Sequence, residues 1–488
     1  MLYDVVIIGT GVTGAFAARE LSRYELNICM IDKESDVAMG TSKANSAIVH
    51  AGFDAVPNTL KAVLNVRGNK LFPRITHELN VSFQKLGSLV LCFQNSDIPV
   101  LEELVQRGIQ NGVEGLYIVY GDKLRKMEPN ISPHAVAALY APSAGIVCPY
   151  ELTLHAAENA VQNGVELKLE CEVTSIRHEN RRFILTTPKG VLETRYLVNA
   201  AGVNADRISQ LIGDQSFTIH PRKGEYVLLD KQFGSTVNHV VFQLPSEKSK
   251  GVLVTPTVDG NLLVGPNAKE IPDREDTSTT TEGLQEIITT ARKSIPSLDL
   301  RGIITSFAGL RAGTEEGDFI IRPSMVNSSF IHVAGIESPG LTAAPVIGEM
   351  VVQLLEENGL RLVHKKSFNP CVQPVQTTRH KNTEQWNALI KSNPQYGRIV
   401  CRCEKITEGD ILASIHRTIG ATNLDAVKRR TRAGMGRCQG GFCSPRIVEI
   451  LSRELNLLPE QITKTGGNSQ ILSGKTKTTR VHKTNQEE

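Results

Sequence analysis

Neither sign of charge dominates this chain. Its 488 residues carry 54 basic against 51 acidic side chains, a formal net charge of +3, and no long stretch of the first 400 positions belongs to one sign. Nucleic acid is therefore not an expected partner. No run of about 18 or more apolar residues occurs, which excludes an expected membrane span. The first expected strand, Tyr3–Ile8, follows the opening Met with no basic segment ahead of it, so no secretory leader is expected and the expected compartment is the cytoplasm. Any membrane association would be peripheral, through a partner. Paired cysteine spacings are missing from most of the chain. Cys29, Cys92, Cys148, Cys171 and Cys371 are scattered and odd in number, which fits reduced thiols better than disulfides. Internal repeats are absent. With 40% hydrophobic residues the chain can bury several cores, and roughly two to four domains are expected.

What is present begins at the N-terminus. Asp4-Val-Val-Ile-Ile-Gly-Thr-Gly-Val-Thr-Gly14 leads into Ala-Phe-Ala-Ala-Arg-Glu-Leu, the pattern of a buried strand, a glycine turn and an amphipathic helix. Gly9, Gly11 and Gly14 form GxGxxG. The first permits the turn, the second lets the backbone approach a pyrophosphate, and the third lets helix and strand pack closely with phosphates at the helix N-terminus. A second strand, Asn27–Ile31, ends at Asp32, whose carboxylate suits a ribose 2′-hydroxyl. Strand, turn, helix, strand and acid in this order mark a dinucleotide site, where a lone GxGxxG would not.

Three later segments decide which dinucleotide. Gly40-Thr-Ser-Lys-Ala-Asn-Ser46 is too polar for a core strand and supplies donors at Thr41, Ser42, Asn45 and Ser46. Tyr196–Gly202 runs as a strand into Ala201 and Gly202. Ser329–Gly335 leads through Glu337-Ser338-Pro-Gly340-Leu341 into a helix expected over Thr342–Glu357. A cofactor touched near positions 10, 40, 200 and 340 must be long, so FAD fits better than NAD.

The other end of the chain holds four cysteines in a compact pattern. Cys401 and Cys403 form Cys-Arg-Cys, and Cys438 and Cys443 close Gly-Met-Gly-Arg-Cys-Gln-Gly-Gly-Phe-Cys. Glycines around the second pair let the backbone wrap a small group, which points to an iron–sulfur cluster. Four thiolates would also suit zinc, although structural zinc sites favour Cys-x2–4-Cys hooks over Cys-x-Cys. Thr407–Ile415 carries a capping residue and helical apolar spacing, and Pro445–Leu455 reads as a further helix.

A dinucleotide-dependent oxidoreductase needs a base for the proton its substrate gives up and a group that fixes the substrate. His50, between Val49 and Ala51-Gly52 just beyond the polar run, is the candidate base. A histidine packed structurally beneath the cofactor is the alternative. Arg311, in Thr305-Ser-Phe-Ala-Gly-Leu-Arg-Ala-Gly313, is the candidate anion anchor, because a guanidinium grips phosphate or carboxylate with two hydrogen bonds and an exposed arginine would not need those small neighbours.

Over residues 1–365 the chain resembles the FAD-dependent oxidoreductases of the D-amino-acid-oxidase or glycerol-3-phosphate-dehydrogenase superfamily. Ser46-Ala-Ile-Val-His50-Ala-Gly-Phe-Asp and Pro57-Asn-Thr-Leu-Lys-Ala62 resemble the branch of L-2-hydroxyglutarate dehydrogenases and soluble glycerol-3-phosphate oxidases. Thr431–Cys443 resembles the bacterioferritin-associated-ferredoxin-like [2Fe-2S] domain of anaerobic glycerol-3-phosphate dehydrogenase catalytic subunits. The resemblance implies an α/β fold with a Rossmann-like FAD-binding domain, an antiparallel-sheet substrate domain and a small helical [2Fe-2S] domain held by Cys401, Cys403, Cys438 and Cys443. It implies cofactor contacts that include Val173, a catalytic His50, a substrate-binding Arg311, and further pocket residues Lys223, Glu225, Tyr226 and Asn267. The implied reaction is oxidation of sn-glycerol 3-phosphate to dihydroxyacetone phosphate, with electrons passing through the cluster to a second flavoprotein or iron–sulfur protein. L-2-hydroxyglutarate is the alternative substrate, and a flavin oxidase with a docking or iron-sensing C-terminal module is the alternative of another class.

The expected boundaries follow. FAD-binding segments span about 1–79, 146–214 and 306–365. Substrate-domain segments span about 80–145 and 215–305, with a helix over Ile98–Asn111 and strands at Phe217–His220, Glu225–Leu229, Val240–Gln243, Gly251–Thr255 and Asn261–Gly265. Residues 366–396 read as a linker, 397–455 as the cluster domain and 456–488 as a polar tail.

Overall fold

The computed structural model describes residues 2–245 and 251–474. It divides into two compact units, Met1–Pro374 and Val375–Glu488. No helix among the described residues is long and apolar enough to cross a membrane.

The first unit is built on two large sheets and a small three-stranded one, in which Gly145–Val147 pairs with Ile48–Val49 and with Phe83–Gln84. Leu2–Ile8 has parallel partners on both edges, Ile28–Ile31 and Gly190–Asn199. A strand enclosed in this way buries both faces, so Val5, Val6 and Ile7 form a continuous apolar run with no exposed surface. Glu166–Lys168 continues the parallel order beyond Ile28–Ile31, and Phe330–Ala334 pairs with the last residues of Gly190–Asn199. Three further strands complete eight: Arg182–Thr187 and Ser175–Glu179 add antiparallel to the other half of Gly190–Asn199, and Ile320–Pro323 pairs with Phe330–Ala334. The helix Val12–Leu21 packs between Pro149–Gln162 and Gly340–Glu357, and Leu60–Glu78 packs on Gly340–Glu357. Four segments far apart in sequence thus meet at the C-terminal ends of parallel strands, where α/β sheets bind ligands.

The second sheet has nine strands, and every pair is antiparallel except Val240–Gln243 against Ser88–Cys92. Its long ladder joins His220–Leu229 to Ile303–Gly313, from His220 opposite Gly313 to Leu229 opposite Ile303. The two faces bury separate apolar clusters, one around Ile48, Leu104 and Ile146, the other around Leu89, Val254 and Ile287.

Expected and observed elements differ in three places. The strand expected from Phe217 begins only at His220. Phe217 and Ile219 alternate inward as strand residues would, but the Ile219 N–H donates to the Asp206 carboxylate at 2.9 Å instead of to a ladder. Within residues expected as linker, Thr383–Ser392 forms a helix. It has one buried residue, Leu389, so no apolar stripe announces it, and a reciprocal cap between Asn382 and Gln385 begins it. The expected tail is ordered through Gly474 because Ile462 is buried in the core of the second unit and the Leu424 and Asp425 N–H groups bond Thr463 and Lys464. Residues 475–488 of that tail lie outside the described residues.

Candidate active site

The glycine turn is fixed by close approach. Gly9 has φ +104°, and a Cβ there would lie 2.3 Å from the Ala200 carbonyl oxygen; one on Gly14 would lie 2.0 Å from the Gly9 oxygen. The helix Val12–Leu21 starts after Gly11 with no side-chain cap, and only the Val12 N–H is taken by a side chain, Ser42 Oγ at 2.9 Å. An uncapped N-terminus beside a strand end suits a pyrophosphate. Asp32 fastens this turn: Oδ2 accepts from Thr10 N and Oγ1, both at 2.7 Å, and Oδ1 from Glu34 N at 3.1 Å. That leaves about one acceptor position for a ribose hydroxyl.

The polar run 41–46 is a folded strap. Asn45 donates to the Thr41 and Ser42 carbonyls at 3.1 Å and accepts from Ala47 N at 2.9 Å, so its amide is occupied in shaping the strap. Thr41 Oγ1 bonds the Leu310 carbonyl at 2.5 Å, and a Cβ on Gly309 would lie 1.9 Å from the Ala44 oxygen. The strand bearing Arg311 therefore runs directly against the strap. Of the remaining cofactor candidates, Gly202 has φ +56° with open space at its Cβ position, Ala201 N bonds Asn199, and Gly335 has φ +66° ahead of the helix that opens at Gly340 with Leu341 and Thr342. Val173 packs its side chain in the core with Tyr3 and Ile8.

His50 is held from three sides. Its N–H donates to Thr342 Oγ1 at 3.0 Å, its carbonyl accepts from Asn69 at 3.1 Å, and its Nε2 lies 3.3 Å from Ser338 Oγ. The ring centroid is 6.1 Å from that of Phe242. Arg311 is anchored at one end only. Nη2 donates to the Asn267 carbonyl at 3.2 Å, whereas Nη1 is buried and has no hydrogen-bond partner among the described residues. A buried donor without a partner costs about 1–3 kcal/mol, which an anionic ligand would recover.

Ladder register sorts the other pocket candidates. Arg222 faces Arg311, Gly224 faces Gly309 and Tyr226 faces Phe307, so these side chains share one face. Tyr226 stacks on Phe307 at 4.8 Å, and its hydroxyl lies 3.2 Å from Ser46 Oγ. Burial raises its pKa, an effect that the nearby Arg311 charge opposes. Lys223 and Glu225 lie on the other face, since side chains alternate along a strand. Lys223 pairs with Asp276 at 2.7 Å, and Glu225 accepts from Thr280 N and Oγ1 at the start of the helix Thr281–Ser294. The structure thus separates these two from Arg311 and Tyr226. Asn267 spans both faces, its carbonyl on Arg311 and its Oδ1 on Glu225 N at 2.9 Å.

Two residues were missed in the sequence. Glu337, beside Ser338, bonds Lys61 Nζ at 2.9 Å and Arg222 Nη2 at 2.5 Å, so it ties the Pro57–Ala62 segment and the Arg311 ladder to the loop that faces His50. These two cations hold its carboxyl below the ordinary value against the opposing effect of burial. Arg222 lies two residues before Gly224, and extending the expected strand upstream with period two would have placed it on the Tyr226 face.

In the second unit the four cysteines lie as two close pairs. Cys403 and Cys438 have sulfurs 3.7 Å apart, and Cys401 hydrogen-bonds Cys443, which lowers Cys401 to about 6 and raises Cys443. A Cβ on Gly436 would lie 2.3 Å from the Cys403 Cβ, so this glycine admits the first pair beside the second. The described residues hold no ready-made group of three or more metal ligands, but two close thiol pairs in one small unit supply the four-thiolate donor set of an iron–sulfur cluster.

Comparison with known proteins identifies both domains. Residues 4–354 match the FAD dependent oxidoreductase family, and residues 399–453 match the BFD-like [2Fe-2S] binding domain. The chain belongs to the FAD-dependent oxidoreductase family. It is 49% identical to a glycerol 3-phosphate dehydrogenase of Caloramator mitchellensis over 98% of this chain and 99% of that one. It is 27% identical to human mitochondrial L-2-hydroxyglutarate dehydrogenase over 73% of this chain and 89% of that one. The dithionite-reduced, FAD-bound L-alpha-glycerophosphate oxidase of Mycoplasma pneumoniae superposes with a TM-score of 0.73 at 33% identity, covering 76% of this chain and 98% of that one. The chain is therefore an FAD-dependent oxidoreductase with a C-terminal [2Fe-2S] domain.

Proposed function

We propose that the protein oxidises sn-glycerol 3-phosphate to dihydroxyacetone phosphate and passes the electrons through its [2Fe-2S] domain to a partner protein. One observation carries the substrate reading: Arg311 Nη1 is buried without a partner, on the face that Tyr226 and Ser46 share. A guanidinium half-anchored by a carbonyl is ready to take a phosphate oxygen. Arg222, the cation facing Arg311, is held at Nη2 by Glu337, a carboxylate it shares with Lys61, and its Nε is buried without a partner among the described residues, so Arg311 is the guanidinium of this face that no carboxylate engages. L-2-hydroxyglutarate, with two carboxylates, would call for a second. The named activity of the 49% identical relative supports the same choice.

FAD, held by the Gly9–Gly14 turn, the 41–46 strap and the Gly335–Thr342 turn, supplies a two-electron acceptor when bound. His50 Nε2 takes the proton of the secondary hydroxyl. Ser338 Oγ, within 3.3 Å of that nitrogen, orients the ring and the substrate hydroxyl, and Thr342 fixes the backbone on which His50 stands. Arg311 holds the phosphate, and Tyr226 closes the pocket wall beside it. Product analysis tests the reading. Protein supplied with glycerol 3-phosphate and a neutral dye should form dihydroxyacetone phosphate in step with dye reduction; dye reduction without that product would refute it.

A further inference from the structure

The two cysteine pairs differ sharply in exposure. Cys401 and Cys443 are 1% and 2% exposed, whereas Cys403 is exposed and Cys438 half-buried. A cluster held by all four must therefore present its Cys403–Cys438 edge to the surface. That edge has a distinct surround. Phe442, between Cys438 and Cys443 in sequence, is 88% exposed, and Arg402, Lys405 and Arg437, each within two residues of Cys403 or Cys438, are exposed as well. Arg402 and Lys405 form no ion pair among the described residues. The nearest acid in sequence, Glu404, is turned inward to Arg432 at 2.8 Å. An exposed aromatic flanked in sequence by exposed arginine and lysine supplies an apolar anchor and a charged rim, and small interfaces suit transient redox encounters.

We propose that this edge is the electron exit and that it docks a small acidic redox protein. The inference rests on the reading that electrons leave through the C-terminal domain. In the step, one electron passes from the reduced cluster to the carrier, so one iron of the cluster returns from ferrous to ferric as the carrier is reduced by one electron. Opposite charge steers such encounters and can raise their rate by roughly 10–10³-fold at low salt. Part of the basic rim also balances the negative charge of the cluster itself. The two roles separate experimentally, because balance acts on the cluster potential and docking acts on the rate at fixed potential.

The full-length holoprotein, photoreduced with a deazaflavin so that no substrate is involved, is mixed with a c-type cytochrome in its basic native form and in its succinylated, acidic form. The acidic form should be reduced at least about tenfold faster at low salt, and the advantage should vanish by about 0.5 M salt. In Arg402→Glu/Lys405→Glu the preference should reverse at matched driving force, while flavin-to-cluster transfer within the chain changes no more than the measured shift in cluster potential accounts for. The salt series on the unaltered protein tests the proposal without any variant. A faster reaction with native cytochrome, or a rate change fully accounted for by a shifted cluster potential, would overturn the acidic partner. Flavin-to-cluster transfer slowed beyond what the shifted potential accounts for would instead make this edge the contact for the chain's own flavin unit and overturn it too. Cluster oxidation by neither form would refute the exit reading on which the proposal rests.

Discussion

Gly224 offers a clean perturbation of the proposed phosphate site. Its φ is not in the left-handed region, so alanine meets no backbone strain there. A Cβ at this position would lie 2.8 Å from Arg311 Nη2, 3.1 Å from its Cζ and 2.9 Å from the Pro266 Cβ. The movable atoms are those of the guanidinium, so Gly224→Ala should push Arg311 off the Asn267 carbonyl while leaving the ladder intact. One charge-assisted hydrogen bond is worth about 1.5–3 kcal/mol, so the dissociation constant for glycerol 3-phosphate should rise roughly 10–100-fold. The limiting rate of flavin reduction should change much less, because His50 and Ser338 are untouched. Anaerobic stopped-flow reduction at varied substrate concentration separates the two parameters. Unchanged affinity in a flavin-loaded variant would refute the assignment of Arg311 as the anion anchor.

Other perturbations address the remaining parts. His50→Asn should slow single-turnover flavin reduction by roughly 10²–10⁴-fold with little effect on substrate affinity, and an unchanged rate would return His50 to a structural role. Cys403→Ser should lose iron and sulfide while keeping FAD, measured by metal analysis and visible spectra; stoichiometric zinc without sulfide in the unaltered protein would refute the cluster. Glu337→Gln leaves Lys61 and Arg222 without their shared carboxylate and should cost about 3 kcal/mol of stability in urea unfolding, with an unchanged midpoint ruling out the tie. His332 gives a pH signature. It is fully buried between Asp214, 3.1 Å from Nε2, and Asn199, 3.4 Å from Nδ1, and burial lowers its pKa below 6.5 against the pull of Asp214. The unfolded chain then binds the extra proton first, so this contribution is complete above about pH 6.5 and is lost as pH falls towards the folded value, at up to about 1.4 kcal/mol per pH unit. Thermal midpoints of His332→Asn measured from pH 7 to 5 should fall less steeply than those of the parent; parallel slopes would refute this.

The dinucleotide turn was legible because each glycine answers a local demand, and Gly9 and Gly14 meet carbonyl oxygens just where a side chain could not fit. The four cysteines were legible because their chemistry leaves few alternatives. Arg311 was legible from its small neighbours, and the structure supplies the reason: Gly309 passes the Ala44 backbone and Gly224 makes room for the guanidinium. Lys223 and Glu225 were harder. Which face of a strand a residue occupies depends on register, and the ladder to Ile303–Gly313 joins strands separated by residues 230–302, which no local pattern bridges. Glu337 escaped notice for a similar reason, since its partners Lys61 and Arg222 come together only when three distant segments fold.

The central claim is that glycerol 3-phosphate reduces both redox centres of one chain. Anaerobic titration of the holoprotein with glycerol 3-phosphate, followed by flavin absorbance and by the electron paramagnetic resonance of the reduced cluster, tests it most directly. The account predicts bleaching of the flavin at millimolar or lower substrate, with the cluster signal rising alongside it. Bleaching by L-2-hydroxyglutarate with no response to glycerol 3-phosphate would contradict the substrate, and a flavin that bleaches while the cluster stays oxidised would contradict the path.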